Sequence, residues 1–152
     1  MSTGKIKEDL MREGILYSII GAVGGFIAMV FGGWNDALIT LMIFMTVDYI
    51  TGLTVAGIFK KSKKSESGAL ESRAGFKGIC RKGVALLIVL VATRLDVVMK
   101  TTYIEDAVII AFIANESISI IENAGLMGIP IPSVITKAID ILKKESEKVN
   151  TN

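Results

Sequence analysis

From Gly14 to Asn35 the chain runs 22 residues without a charged side chain, and a second run from Ala37 to Phe59 is interrupted only by Asp48. A helix crosses the hydrocarbon core of a bilayer with roughly 20 apolar residues. The two runs therefore predict membrane spans at 14–34 and 37–59, and lipid rather than water becomes the solvent for this fold. Between them, Gly32-Gly33-Trp34-Asn35-Asp36 reads as a tight turn, with Trp34 suited to the membrane interface. The first run exceeds the roughly 7–15 apolar residues of a secretory leader, and a second span follows it. The N-terminus is expected to remain in the mature protein.

The remaining charges are segregated rather than mixed through the chain. The 152 residues are 51% hydrophobic with a mean hydropathy of +0.58, so one small membrane domain is expected rather than a soluble domain with an anchor. Residues 1–13 are polar and balanced in charge. The segment 60–82 carries Lys60, Lys61, Lys63, Lys64, Arg73, Lys77, Arg81 and Lys82 against Glu66 and Glu71, a net +6. Short loops rich in lysine and arginine stay in the cytoplasm, so these eight residues are read as a topology signal. Attraction to anionic headgroups follows from the same charge. Lying between two spans, the basic run is not read as a nucleic-acid site.

A third span is expected over 83–99, although Arg94 and Asp96 interrupt it. A fourth, 104–123, contains Glu116 and reaches spanning length only by extending its apolar centre, 107–121. Four crossings place both termini in the cytoplasm; three leave the fourth segment at the interface. After Gly128-Ile129-Pro130-Ile131-Pro132, Ser133 is positioned to cap a helix over 133–149. Ile135, Ala138, Ile139, Leu142, Ser146 and Val149 share one face of it. Such a tail can lie on the inner leaflet or bundle with copies of itself. The expected fold class is an all-α integral membrane protein with four, alternatively three, transmembrane helices and a C-terminal amphipathic helix.

Two sets of residues invite a functional reading. Gly14, Ser18, Gly21, Gly25, Ala28 and Gly32 recur at intervals of three and four, which places them on one face of the first span. Such faces let helix backbones approach closely in lipid, either within one chain or between chains in an oligomer. The second set is intramembrane and polar: Asp48, Arg94, Asp96, Asn115 and Glu116. A charge at the centre of a span costs roughly 2.5–3.5 kcal/mol on insertion scales, so each should face protein or water. Depth along the helices brings Asp48 and Arg94 within reach of each other. Asp96 stands close enough to the outer end to extend toward the headgroups. Thr51 and Gly52 continue the Asp48 face. These groups either satisfy one another in a bundle or line a hydrated path.

Nothing in the chain assembles into a catalytic set. There is no histidine, no glycine-rich phosphate loop, and only one cysteine, Cys80, which is either a spectator or a lipidation site. No cofactor, metal or enzymatic activity is expected.

Four segments in order resemble the toxin-secretion/phage-lysis holin family of Gram-positive phages. They are Asp48-Tyr49-Ile50-Thr51-Gly52; Ser72 to Gly78 leading to Arg81-Lys82; Asn115 to Asn123; and Gly128 to Pro132 with its charged tail. The resemblance covers about residues 37–145. It implies a non-enzymatic protein of a bacterial host's inner membrane that oligomerises and opens lesions. An endolysin or a toxin would be the released cargo rather than a bound partner. Asp48, Gly52, Glu116, Glu122, Pro130 and Pro132 match the family pattern, with roles in folding or assembly. Many holins use a second start codon, for which Met11 is the candidate. Removing residues 1–10 leaves side-chain charge unchanged, so a charge-based inhibitor form has little support.

Overall fold

A helix that is apolar on every side has no stable place in water, and the first helix of this protein is of that kind. The computed structural model describes residues 3–64 and 68–149, with side chains placed for 7–64, 68–142 and 144. The chain divides into two units, 1–34 and 35–152. The first unit is helix α1, Thr3–Val30. Ile15, Leu16 and Tyr17 point about 100° apart around its axis, and all three are exposed. The stretch Lys7–Val30 is long and apolar enough to cross a bilayer. The helix closes where Gly33 N–H donates to the Ala28 carbonyl at 2.7 Å. Gly32 and Gly33 then adopt φ values of 73° and 121°, a region that glycine enters without steric cost. Gly32 was expected on the small-residue face, but it lies in this turn, beyond the helix. The stripe on α1 therefore ends at Ala28.

The second unit begins with α2, Asp36–Thr54, which widens into a π-helical turn over Val55–Phe59. Asn35 caps it, its side-chain oxygen accepting from Leu38 N–H at 2.7 Å. Asp36–Phe59 is the second stretch suited to spanning. Lys60 turns the chain with a left-handed backbone. In the connector, Ser62 N–H donates to the Gly68 carbonyl at 3.0 Å. A β-carbon on Gly68 would fall 2.6 Å from the Lys60 carbonyl oxygen, so only glycine fits there. Residues 65–67 of the basic run lie outside the described residues.

Helix α3 spans Ser72–Met99, eleven residues longer at its start than the expected span, so the end of the basic connector is helical. Helix α4 covers Tyr103–Leu126 and α5 covers Ser133–Val149. Gly128, at φ 78°, closes α4, with Ile129 N–H donating to the Ala124 carbonyl. Pro130 and Pro132 lack the N–H that a continuing helix needs. The Pro132 carbonyl accepts from Ile135 and Thr136, so Pro132 rather than Ser133 flanks α5. Helix α5 folds against α4. Ile139 and Leu142 are partly covered, while Ile135 and Ala138 stay exposed. Ser146 and Val149 lie outside the described side chains.

Helix α4 is the hub, packing against α2, α3 and α5. Leu38, Leu41 and Met45 of α2 meet Ile109, Ile113 and Ala114 of α4, with Ala85, Val89 and Ala92 of α3 on the other flank. Within this largely apolar core Asp48, Thr93, Asp96, Ser117 and Asn123 are also buried, whereas Ile43, Ile50, Leu87, Val91 and Val98 face outward. Among the described residues, every buried side-chain nitrogen and oxygen has a hydrogen-bond partner. Large apolar side chains on the outside and satisfied polar groups inside suit a lipid solvent.

The packing predicts that Ile109→Ala, at a fully buried site, destabilises the detergent-solubilised protein by about 2–5 kcal/mol. Ile43→Ala, on the outward face, should leave the thermal midpoint nearly unchanged. Equal shifts would mean that α4 is not the centre of the core.

Candidate functional site

An ammonium group from α3 holds together carboxylates from two other helices. Lys82 Nζ lies 2.9 Å from Asp48 Oδ2 of α2 and also donates to Glu116 Oε2 of α4. The three side chains are largely withdrawn from the surface, at 17%, 6% and 12% exposure. Lys64 approaches from the connector, 4.0 Å from Asp48 Oδ2, with its side chain 57% exposed. With Lys64 the cluster holds two cations and two anions; without it one negative charge is uncompensated.

Asn123, two turns beyond Glu116 on α4, completes the site. Its Nδ2 donates to Asp48 Oδ1 at 3.0 Å and to Thr51 Oγ1 at 3.0 Å, and lies 3.4 Å from the Asp48 carbonyl. A carboxamide supplies the donors that an aspartate would lack. Gly52 stands beside this amide, where a β-carbon would sit 3.7 Å from Asn123 Nδ2, in ordinary contact. Tyr49 lies against α3 where Gly75 and Gly78 stand: β-carbons on them would lie 3.7 Å and 4.0 Å from its ring and hydroxyl atoms. A cavity of about 70 Å³ opens between α2, the connector and α3, bordered by Asp48, Tyr49, Leu53, Leu70 and Lys82. It is roomy and polar enough at the Asp48 end for water.

The expected pairing of Asp48 with Arg94 does not occur. Arg94 is exposed on the outward side of α3, twelve residues and about 18 Å along the axis from Lys82. Depth alone had matched the two, but helix rotation and the earlier start of α3 bring Lys82 to Asp48 instead. Lys82 was grouped with the topology signal, and its position is corrected here. Its apolar neighbours on the same face, Ala85, Val89 and Ala92, extend back to it at helical spacing, which is the signal that could have found it.

Asp96 does not extend to the headgroups. It is buried, and its carboxylate accepts from the Thr101 hydroxyl, from Ile104 N–H at 3.2 Å and from Glu105 N–H at 2.8 Å. It thus serves the first turn of α4, where N–H groups lack helical partners. Asn115 and Glu122 are exposed. Of the other basic residues, Lys60, Lys61, Lys63, Arg73, Lys77 and Arg81 are all exposed. On α1, Ser18 Oγ donates to the Gly14 carbonyl at 2.8 Å, and open space lies above Gly14, Gly21 and Gly25.

Removing one member of a buried ion pair leaves a charge without compensation. Lys82→Met should therefore destabilise the solubilised protein by about 3–5 kcal/mol. Adding Asp48→Asn and Glu116→Gln to it should recover part of that loss, a coupling that a mutant cycle resolves. Arg94→Gln should change little. Additive losses with no recovery would show that the three charges act independently.

The profile of the bacteriophage holin family matches residues 25–144. An uncharacterized protein of Halalkalibacterium halodurans is 34% identical, over 90% of this chain and 99% of the relative. An uncharacterized 14.9 kDa protein of the nagH 3′ region of Clostridium perfringens is 35% identical, over 83% of this chain and 91% of the relative. A probable holin of Bacillus phage phi105 is 31% identical, over 71% and 75%. No solved structure matches the chain. On this likeness, which takes in the whole Lys82 cluster, the chain belongs to the bacteriophage holin family.

Proposed function

We propose that this protein oligomerises in the cytoplasmic membrane of a bacterial host and opens lesions through which a folded endolysin or a toxin escapes. The observation that carries this reading is the match of the holin family over residues 25–144. The stripe Gly14, Ser18, Gly21, Gly25 and Ala28 on one face of α1 supports it. Close backbone approach and dispersion drive helix association in lipid, where apolar burial does not. A second copy of the chain is the partner proposed for this face.

Four spans fit the arrangement best. Helices α3 and α4 are joined by a short turn and pack with α2, a helix suited to crossing. The outward side of α3 is lined by Leu87, Ile88 and Val91. Helix α4 carries Glu116, Ser117 and Asn123 on sides that its neighbours, not lipid, cover. Both termini and the basic connector then lie in the cytoplasm, with α5 at the same surface.

A narrow ion path is the second reading. It is favoured by the cavity that reaches Asp48 and Lys82 from the connector side. Release separates the two. Escape of a cytoplasmic enzyme from expressing cells supports lesions; conductance without enzyme release supports the ion path.

Two outcomes follow for cells. Gly21→Leu with Gly25→Leu should reduce crosslinked oligomers and enzyme release together, while Val23→Leu, off that face, should preserve both. Equal effects would reject the α1 contact. Lys63→Cys, in a Cys80→Ser background, should resist an impermeant thiol reagent in intact cells and react after permeabilisation. Labelling in intact cells before lesions form would invert the topology.

A further inference from the structure

Helix α3 is longer than a membrane needs. Its 28 residues extend about 42 Å at 1.5 Å per residue, against a hydrocarbon core of about 30 Å. Its apolar part begins after Lys82, so the first three turns lie at the connector-side boundary of the core. Those turns hold no acidic residue, and they carry Arg73, Lys77 and Arg81 at intervals of four. Such spacing forms one ridge along a helix. All three side chains are exposed, whereas Lys82 points the opposite way, into the Asp48–Glu116 cluster.

The ridge has an apolar companion. Phe76 is 69% exposed and, at about 100° per residue, falls beside Arg73 on the side of α3 that continues into Leu87 and Val91. A large aromatic ring held in water beside three cations gains nothing from that position. At a bilayer boundary the ring enters the acyl region while the long basic side chains reach up to phosphates. The N-terminal end of the helix dipole adds positive potential at the same level. A nucleic acid would use the cations but would leave Phe76 in water.

We infer that the first three turns of α3 are a binding surface for anionic phospholipid. Arg73, Lys77 and Arg81 engage the headgroup phosphates, and Phe76 seats in the acyl boundary. The inference rests on the proposed crossing of the membrane by α3. It makes the ridge a lipid-reading element, distinct from the diffuse positive charge that orients the chain.

The full-length protein in neutral detergent, offered phosphatidylglycerol or phosphatidylcholine of equal chain length, tests this by native mass spectrometry of retained lipid. The wild type should hold phosphatidylglycerol in preference. The variant R73Q/K77Q/R81Q should lose that preference by about a hundredfold, from the contribution of three basic side chains near a lipid surface. The variant K60Q/K61Q/K63Q, with the same loss of charge, should retain most of it. Phe76→Ser should weaken retention of both lipids. Helicity measured alongside checks that each variant is folded. Equal losses in the two charge variants, or none in the first, would overturn the inference. So would displacement of the lipid by inorganic phosphate or by a short RNA at equal concentration. The crossing of α3 is read separately: Leu87→Cys with Cys80→Ser, in membranes, should resist an aqueous thiol reagent. Labelling at that position would reject the span while the lipid measurement in detergent still reports on the ridge.

Discussion

The second unit depends on one cation shared by two carboxylates. Asp48, Lys82 and Glu116 come from three helices, and a bundle in lipid has little water with which to solvate any of them alone. Removing Lys82 would leave both carboxylates without their shared cation. The long lysine side chain matters for geometry as well as charge. Helices α2 and α3 touch each other sparingly and leave a cavity between them; Lys82 crosses this gap. The Asn123 amide, bonded to both Asp48 and Thr51, then fixes the level of α4 against α2. The register of three helices is thus set by polar contacts, with the apolar side chains packing around it.

The same logic accounts for the character of α4. Surrounded by α2, α3 and α5, it carries Ser117 and Asn123 in buried positions without facing lipid. Its carboxylate, Glu116, meets a cation rather than hydrocarbon. Helix α1 has the opposite character, being apolar around its circumference and small along one face. On the proposed reading, the second unit is a self-contained scaffold and α1 is the element offered to other copies. Assembly would then leave the ion-paired bundle intact.

The family segments read from the sequence acquire a common physical purpose. Asp48 to Gly52, Gly75 to Lys82 and Glu116 to Asn123 are far apart in the chain, yet they supply the ion cluster, its amide and the glycines beside Tyr49. Gly128 to Pro132 stands apart and does another task, closing α4 and redirecting the chain into α5. Helix limits were legible where glycine or proline marks them, as in the turn at Gly32-Gly33 and the break from Gly128 to Pro132. The start of α3 was not, because basic residues and a loop rich in serine obscure a helix whose inward side there is the half-buried Ala74, Gly75 and Gly78.

By itself the sequence determined that the chain is helical, that two of its segments are apolar enough to cross a membrane, and that charges within such segments need partners. Those conclusions follow from length, hydropathy and the cost of burying charge, which are properties of residues in order. Tertiary structure alone decided who the partners are. Depth along an axis can be counted from residue numbers, but rotation about that axis is set by packing against neighbours. That rotation gave Asp48 to Lys82, turned Arg94 outward, and made Asp96 the cap of the next helix.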